Sequence, residues 1–156
     1  MILVRILLFP FSWLYYLITQ IRNSLYDRGI KPSVKFDLPV ICVGNLVVGG
    51  SGKTPMIEHL IRLLQSNYKL ATLSRGYGRT TKGIRIASAS DNASTLGDEP
   101  YQFYTKFGSA ITVAVGEERA LAIPTILQER PDTQIILLDD GFQHRRVQPG
   151  FSILLT

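Results

Sequence analysis

The chain has 156 residues, 46% hydrophobic and 19% charged, which is enough apolar material for one folded domain and excludes wholesale disorder. Its single cysteine, Cys42, excludes a disulfide framework and any multi-cysteine metal centre; set in Pro39-Val40-Ile41-Cys42-Val43, it reads as a buried, inert thiol. The net charge of +5 is uneven, because residues 1–35 hold five basic residues and one acid while residues 36–156 hold twelve and eleven, a distribution that does not suit a nucleic-acid binder with a basic stripe on its folded domain.

Residues 6–21 carry no charge and include Pro10, Trp13, Tyr15 and Tyr16; Arg22, Arg28, Lys31 and Lys35 follow. Pro10 is expected to kink or start a helix. Aromatic rings favour the headgroup zone, and the basic flank suits an anionic lipid surface. Residues 1–35 therefore read as a membrane-association segment, with an interfacial helix preferred. A full span, a cleaved signal peptide and a core-packing helix are the competing readings. Spanning needs about 20 apolar residues, and no small-residue cleavage site follows.

From residue 36 short apolar runs alternate with amphipathic stretches. Val40–Val43, Leu70–Leu73, Ile111–Val115, Ile135–Leu138 and Phe151–Leu155 read as strands. Residues 53–66 read as a helix with Met56, Ile57, Leu60, Leu63 and Leu64 on one face, and residues 117–130 as another that opens with Glu117 and Glu118 and contains Pro124. Residues 75–100 read as long loops with a short strand at 84–86. Apolar strands separated by helices predict an α/β fold, mostly parallel and covered on both faces. Ending directly after an apolar strand, residues 36–156 are expected to be an incomplete domain whose C-terminal half is absent.

Gly49-Gly50-Ser51-Gly52-Lys53-Thr54 lies between the first strand and the first helix after it. Glycines let backbone amides close around phosphate oxygens, and a helix N-terminus adds positive potential. Lys53 would reach the β- and γ-phosphates, and the Thr54 hydroxyl would ligate Mg²⁺. The general pattern wants glycine at position 47, where this chain has Val47. A glycine-rich turn with a chance Lys-Thr is the bland reading, which the flanking strand and helix oppose. Asp139 and Asp140, at the tip of the Ile135–Leu138 strand, are acids placed to hold Mg²⁺; Asp140-Gly141 is also ordinary turn chemistry.

Four motifs in order then become specific: residues 44–55 (GNLVVGGSGKTP), Leu73-Ser74-Arg75-Gly76-Tyr77-Gly78-Arg79, Gly97-Asp98-Glu99-Pro100, and Asp139-Asp140-Gly141-Phe142-Gln143-His144. Together they resemble the tetraacyldisaccharide 4'-kinase family of Gram-negative bacteria, the lipid A 4'-kinases, along the whole chain. The resemblance implies a P-loop NTPase-like kinase domain over 36–156, in a family about twice as long. It implies transfer of the γ-phosphoryl group of ATP, with Mg²⁺, to the 4'-hydroxyl of an acylated disaccharide 1-phosphate. Val48, Gly49, Gly50, Ser51, Gly52, Lys53, Thr54 and Pro55 would bind the nucleotide; Thr54, Asp139, Asp140 and Glu99 would face the metal. Asp98 would be the base and Lys53 the charge-stabilising group. Arg75, Tyr77, Gln143 and His144 would meet the glycolipid. Without the resemblance, Asp98 reads as a helix N-cap, Arg75 and Tyr77 as part of a glycine turn, His144 and His59 as surface histidines, and Arg145 and Arg146 as solvated charges. The implied place is the cytoplasmic face of the inner membrane, with the glycolipid and the membrane surface as partners, no nucleic acid and no protein partner. A membrane-bound nucleotide switch acting on a protein is the alternative; the second lysine such loops often carry is absent from residues 44–52.

Overall fold

The computed structural model describes residues 2–45, 52–141 and 145–156, except for the side chains of residues 2–8, 10 and 11. The chain divides into two compact units, Met1–Ser33 and Val34–Thr156.

The first unit is helix α1, Ile2–Asp27. It begins eight residues before Pro10 and runs through it, so Pro10 does not start the helix. Its end is a Schellman motif: Gly29 is left-handed at φ 70, its N–H donates to Tyr26 O at 3.0 Å, and Ile30 N–H donates to Leu25 O at 2.9 Å. Arg22 and Lys31 both lie over the Tyr26 ring, at 5.9 and 5.8 Å. Trp13 is 62% exposed, and Leu14, Tyr15, Tyr16, Leu17, Ile18 and Ile21 are exposed with it. Among the described residues no helix is long and apolar enough to cross a membrane. Thr19, Gln20, Asn23 and Ser24 interrupt the apolar surface in the second half of α1.

The second unit is a six-stranded sheet in the order β3-β4-β2-β5-β1-β6. Its strands are β1 (Val40–Asn45), β2 (Leu70–Ser74), β3 (Arg85–Ile86), β4 (Ile111–Val115), β5 (Ile135–Asp139) and β6 (Phe151–Leu155). All pair in parallel except β3, which runs antiparallel to β4. Helices α2 (Lys53–Leu64), α3 (Ala93–Leu96), α4 (Asp98–Phe107) and α5 (Arg119–Glu129) complete the fold. Successive strand residues point to opposite faces, so each central strand feeds two cores. Cys42, Leu73 and Leu138 pack with Ala122, Ile123 and Ile126 of α5. Val43, Val113 and Leu137 pack with Ile57 and Ile61 of α2 and Phe103 of α4. The sheet is thus mostly parallel with helices on both faces.

Two parts differ from expectation. Residues 93–96 and 98–100, expected within the loops, belong to α3 and to the start of α4, which runs on to Phe107. The four-residue α3 is closed by a capping box in which Asn92 and Thr95 exchange side chain-to-backbone bonds, and α4 buries Pro100 and Phe103. The second correction is at α5, which starts at Arg119, not Glu117. Pro124 lies inside that helix.

Candidate active site

In parallel α/β sheets ligands bind beyond the carboxyl ends of the strands, beside the point where the strand order reverses. Here those ends belong to β1, β5 and β2, and each carries a polar residue: Asn45, Asp139 and Ser74. The crevice is built around them.

Gly52 is left-handed at φ 80, and Lys53 is the first residue of α2. The Lys53 ammonium donates to Asn45 Oδ1 at 3.1 Å and to Asp140 Oδ1 at 3.4 Å. One residue on, the Thr54 hydroxyl donates to Glu99 Oε1 at 3.0 Å. Farther along α2, Glu58 accepts from Gln102 at 2.7 Å and Lys106 at 2.5 Å, so α2 and α4 are joined along their length. Pro55 is exposed in the first turn of α2.

Asp139 ends β5 and is 4% exposed. Burial pushes its carboxyl up to about 6, and the charges of Glu99 and Asp140 push the same way; Ser74, donating to Oδ2 at 3.3 Å, and Lys53 act against them. Its Oδ1 is buried without a hydrogen-bond partner. Asp140 is the one non-glycine residue with positive φ among the described residues, at 52°, a conformation aspartate tolerates better than most. Its N–H is tied to Val43 O at 2.9 Å. Gly141 is packed against the Cys42 sulfur, and burial pushes that thiol up to about 11, as expected of an inert cysteine.

Asp98 and Glu99 stand exposed in the first turn of α4. The N-cap is Gly97, at φ 94, so the capping reading of Asp98 is corrected: its carboxylate is not engaged as a cap. Tyr77, 92% exposed, lies between left-handed Gly76 and Gly78, and Arg75 is exposed beside it. Residues 75–82 and Glu117 line a cavity of about 350 Å³. The structure thus brings Lys53, Thr54, Glu99, Asp139 and Asp140 together, and holds Asp98 next to Glu99. Val48, Gly49, Gly50, Ser51, Gln143 and His144 lie outside the described residues. His59 is exposed. Arg146 pairs with Glu118 at 2.8 Å, both well exposed.

Sequence reasoning missed two residues. Asn45, the acceptor for Lys53, announced itself only as a polar residue at the carboxyl end of an apolar strand. Arg119 is 3% exposed. Burial and then the charge of Arg75 lower its pKa, against the pull of Asp140 and Asp139. An arginine at the first position of a helix opposes the helix dipole, a sign of a role other than helix stability.

The donor set fits a hard divalent cation. A buried carboxylate oxygen is unused, and a hydroxyl and a second carboxylate lie near it. No group of three or more His, Cys, Asp or Glu side chains among the described residues could hold a metal alone. Mg²⁺ commonly takes one or two carboxylates and completes its shell with phosphates and water.

The family model for tetraacyldisaccharide-1-P 4'-kinase matches residues 4–156. A tetraacyldisaccharide 4'-kinase of Flavobacterium johnsoniae is 57% identical over 99% of the chain, which covers 45% of that relative. One from Bacteroides thetaiotaomicron is 51% identical over 96% of the chain, which covers 39% of it. Among solved structures, the kinase LpxK of Aquifex aeolicus in complex with ATP superposes with a TM-score of 0.86 and 40% identity, over 97% of this chain and 48% of that one. The chain therefore spans less than half the length of these relatives, and with a family match over nearly all its residues it belongs to the tetraacyldisaccharide-1-P 4'-kinase family.

Proposed function

We propose that this chain is the ATP-binding part of a kinase that transfers the γ-phosphoryl group of ATP to the 4'-hydroxyl of a tetraacyldisaccharide 1-phosphate. The observation that carries the reading is the meeting of Lys53, Thr54, Glu99, Asp139 and Asp140 at the carboxyl ends of β1 and β5. The amides of Val48, Gly49, Gly50, Ser51 and Gly52 would surround the phosphates. Lys53, held over the strand ends by Asn45 and Asp140, would balance charge on the β- and γ-oxygens as the transferring group loosens. Thr54, Asp139, Asp140 and Glu99 would hold Mg²⁺, which supplies charge neutralisation when bound. Asp98, at the exposed start of α4, would accept the proton of the attacking hydroxyl. Arg75, Tyr77, Gln143 and His144 would contact the sugar and its phosphate.

The acceptor is a lipid, so the enzyme works at a surface. The exposed Trp13, Tyr15 and Tyr16, followed by Arg22, Arg28, Lys31 and Lys35, suit an interfacial helix on the cytoplasmic face of the inner membrane.

The test joins this chain in frame to the remaining C-terminal part of the Flavobacterium johnsoniae relative. With radiolabelled ATP, the chimera should label the glycolipid, and Lys53→Ala should lower that transfer by roughly 10²–10³-fold. Nucleotide consumption that proceeds equally without the glycolipid would favour the switch reading instead.

A further inference from the structure

The β2–β3 connection carries Tyr77 out into water on a turn of two left-handed glycines, Gly76 at φ +73 and Gly78 at φ +76. An exposed ring contributes little burial energy, so the turn must be fixed by other contacts. Arg79 makes them, with a side chain only 2% exposed. Its Nη2 donates to the Gly83 carbonyl at 2.5 Å and to Glu117 Oε1 at 2.6 Å. The other Glu117 oxygen accepts from Gly83 N–H at 3.0 Å, which closes a ring of charge-assisted bonds.

The arginine stem lies against Gly76. A Cβ at Gly76 would come within 2.5 Å of Arg79 Cδ and 2.7 Å of Leu96 O, and one at Gly97 within 2.9 Å of Tyr77 O. The turn and the Leu96-Gly97 segment therefore touch backbone to backbone, and Gly97 immediately precedes Asp98. Two further bonds hold the other side of the connection: Thr80 N–H donates to Ser94 O at 2.8 Å, and the Thr81 hydroxyl to Thr95 O at 2.6 Å. Glu117 leads directly into α5, where the buried Arg119 donates to the Glu117 carbonyl at 3.1 Å.

We propose that Arg79 is a positioning residue: its bonds to Glu117 and Gly83 clamp the turn bearing Arg75 and Tyr77 onto the backbone in front of Asp98, so that these acceptor-facing groups are presented as one rigid set. The proposal rests on the reading that they face the glycolipid. A lysine keeps the charge but lacks the second guanidinium nitrogen, Nη1, which donates to the Thr81 hydroxyl at 3.4 Å. Glu117 is 43% exposed, so water can reach it when the arginine is removed and the fold should survive.

Amide exchange and kinetics test this together. In the 156-residue chain, Arg79→Ala should speed exchange at Arg79, Thr80 and Gly97 at least tenfold, with Leu73 and Leu137 unchanged. In the chimera the same substitution should raise KM for the glycolipid at least tenfold and leave KM for ATP within twofold. Arg79→Lys should recover part of both effects. Unchanged exchange in Arg79→Ala overturns the clamp and leaves the kinase reading standing. A parallel rise in KM for ATP overturns a role directed at the acceptor. If the unsubstituted chimera phosphorylates no glycolipid, the acceptor reading falls and this role falls with it, whatever the exchange shows.

Discussion

Gly141 follows the two strand-tip acids, and its replacement by alanine tests how tightly that tip is held. A Cβ on Gly141 would lie 2.6 Å from Cys42 Sγ and 3.3 Å from Leu138 Cβ. Carbon and sulfur need about 3.5–4 Å, so something must move by roughly 1 Å. The cysteine sulfur is two bonds from its Cα and the residue is 2% exposed among Val40, Ala71 and Leu138, so it has little room to retreat. Overpacking of this kind costs about 1–3 kcal/mol. Cys42→Ala alone removes the obstacle but leaves a small cavity and takes away the sulfur that accepts the Gly141 amide, a loss of about 1–2 kcal/mol. The double variant relieves the clash, so its loss should fall at least about 1 kcal/mol short of the sum of the singles. Relief is partial because the Leu138 contact remains. Urea unfolding followed by far-ultraviolet circular dichroism gives all four corners of the cycle. A Gly141→Ala loss below about 0.3 kcal/mol, or additive losses, would refute the reasoning.

Other expectations follow from single observations. Asp139 has a folded pKa of about 6 against an ordinary 3.8, so between about pH 4 and 6 the folded chain binds more protons than the unfolded one. Stability should therefore fall by up to about 3 kcal/mol as pH rises through that window in the absence of nucleotide and metal. Asp139→Asn should raise the unfolding midpoint at pH 7 and leave it nearly unchanged at pH 4; equal effects at both would sink the assignment. Phe103→Ala empties a fully buried site between α4 and the sheet. It should cost about 3–5 kcal/mol by denaturant unfolding, and a loss under 1 kcal/mol would show that α4 is not anchored there. Asn92→Ala breaks the capping box of α3 and should cost about 0.5–2 kcal/mol, with faster amide exchange at Thr95; unchanged exchange there would contradict it.

The strands were legible because their apolar runs are short and end in polar or turn residues. Val40–Val43 and Ile135–Leu138 are buried on both faces, and such strands read as continuous hydrophobic blocks. Helix α4 was hidden for a physical reason. Its start, Gly-Asp-Glu-Pro, carries a helix-start signal, but the buried face that follows is narrow, resting on Pro100 and Phe103 with Tyr104 and Phe107 partly covered. The spacing 100, 103, 104, 107 was the available signal. The site was legible where local sequence makes it, as in the Gly-Lys-Thr turn into α2 and the acids after β5. It was not legible where separate strands bring residues together. Ser74 at the end of β2 meets Asp139 at the end of β5 from 65 positions away. Arg79 read as the last letter of a motif; only folding shows that it is buried against Glu117, 38 residues on.

The most direct measurement is calorimetric titration of MgATP into the chimera and its Lys53→Ala form. One site per chain should appear, weakened at least tenfold by the substitution. Equal affinity in the two proteins, or no binding to either, would contradict a triphosphate seated at the carboxyl ends of β1 and β5.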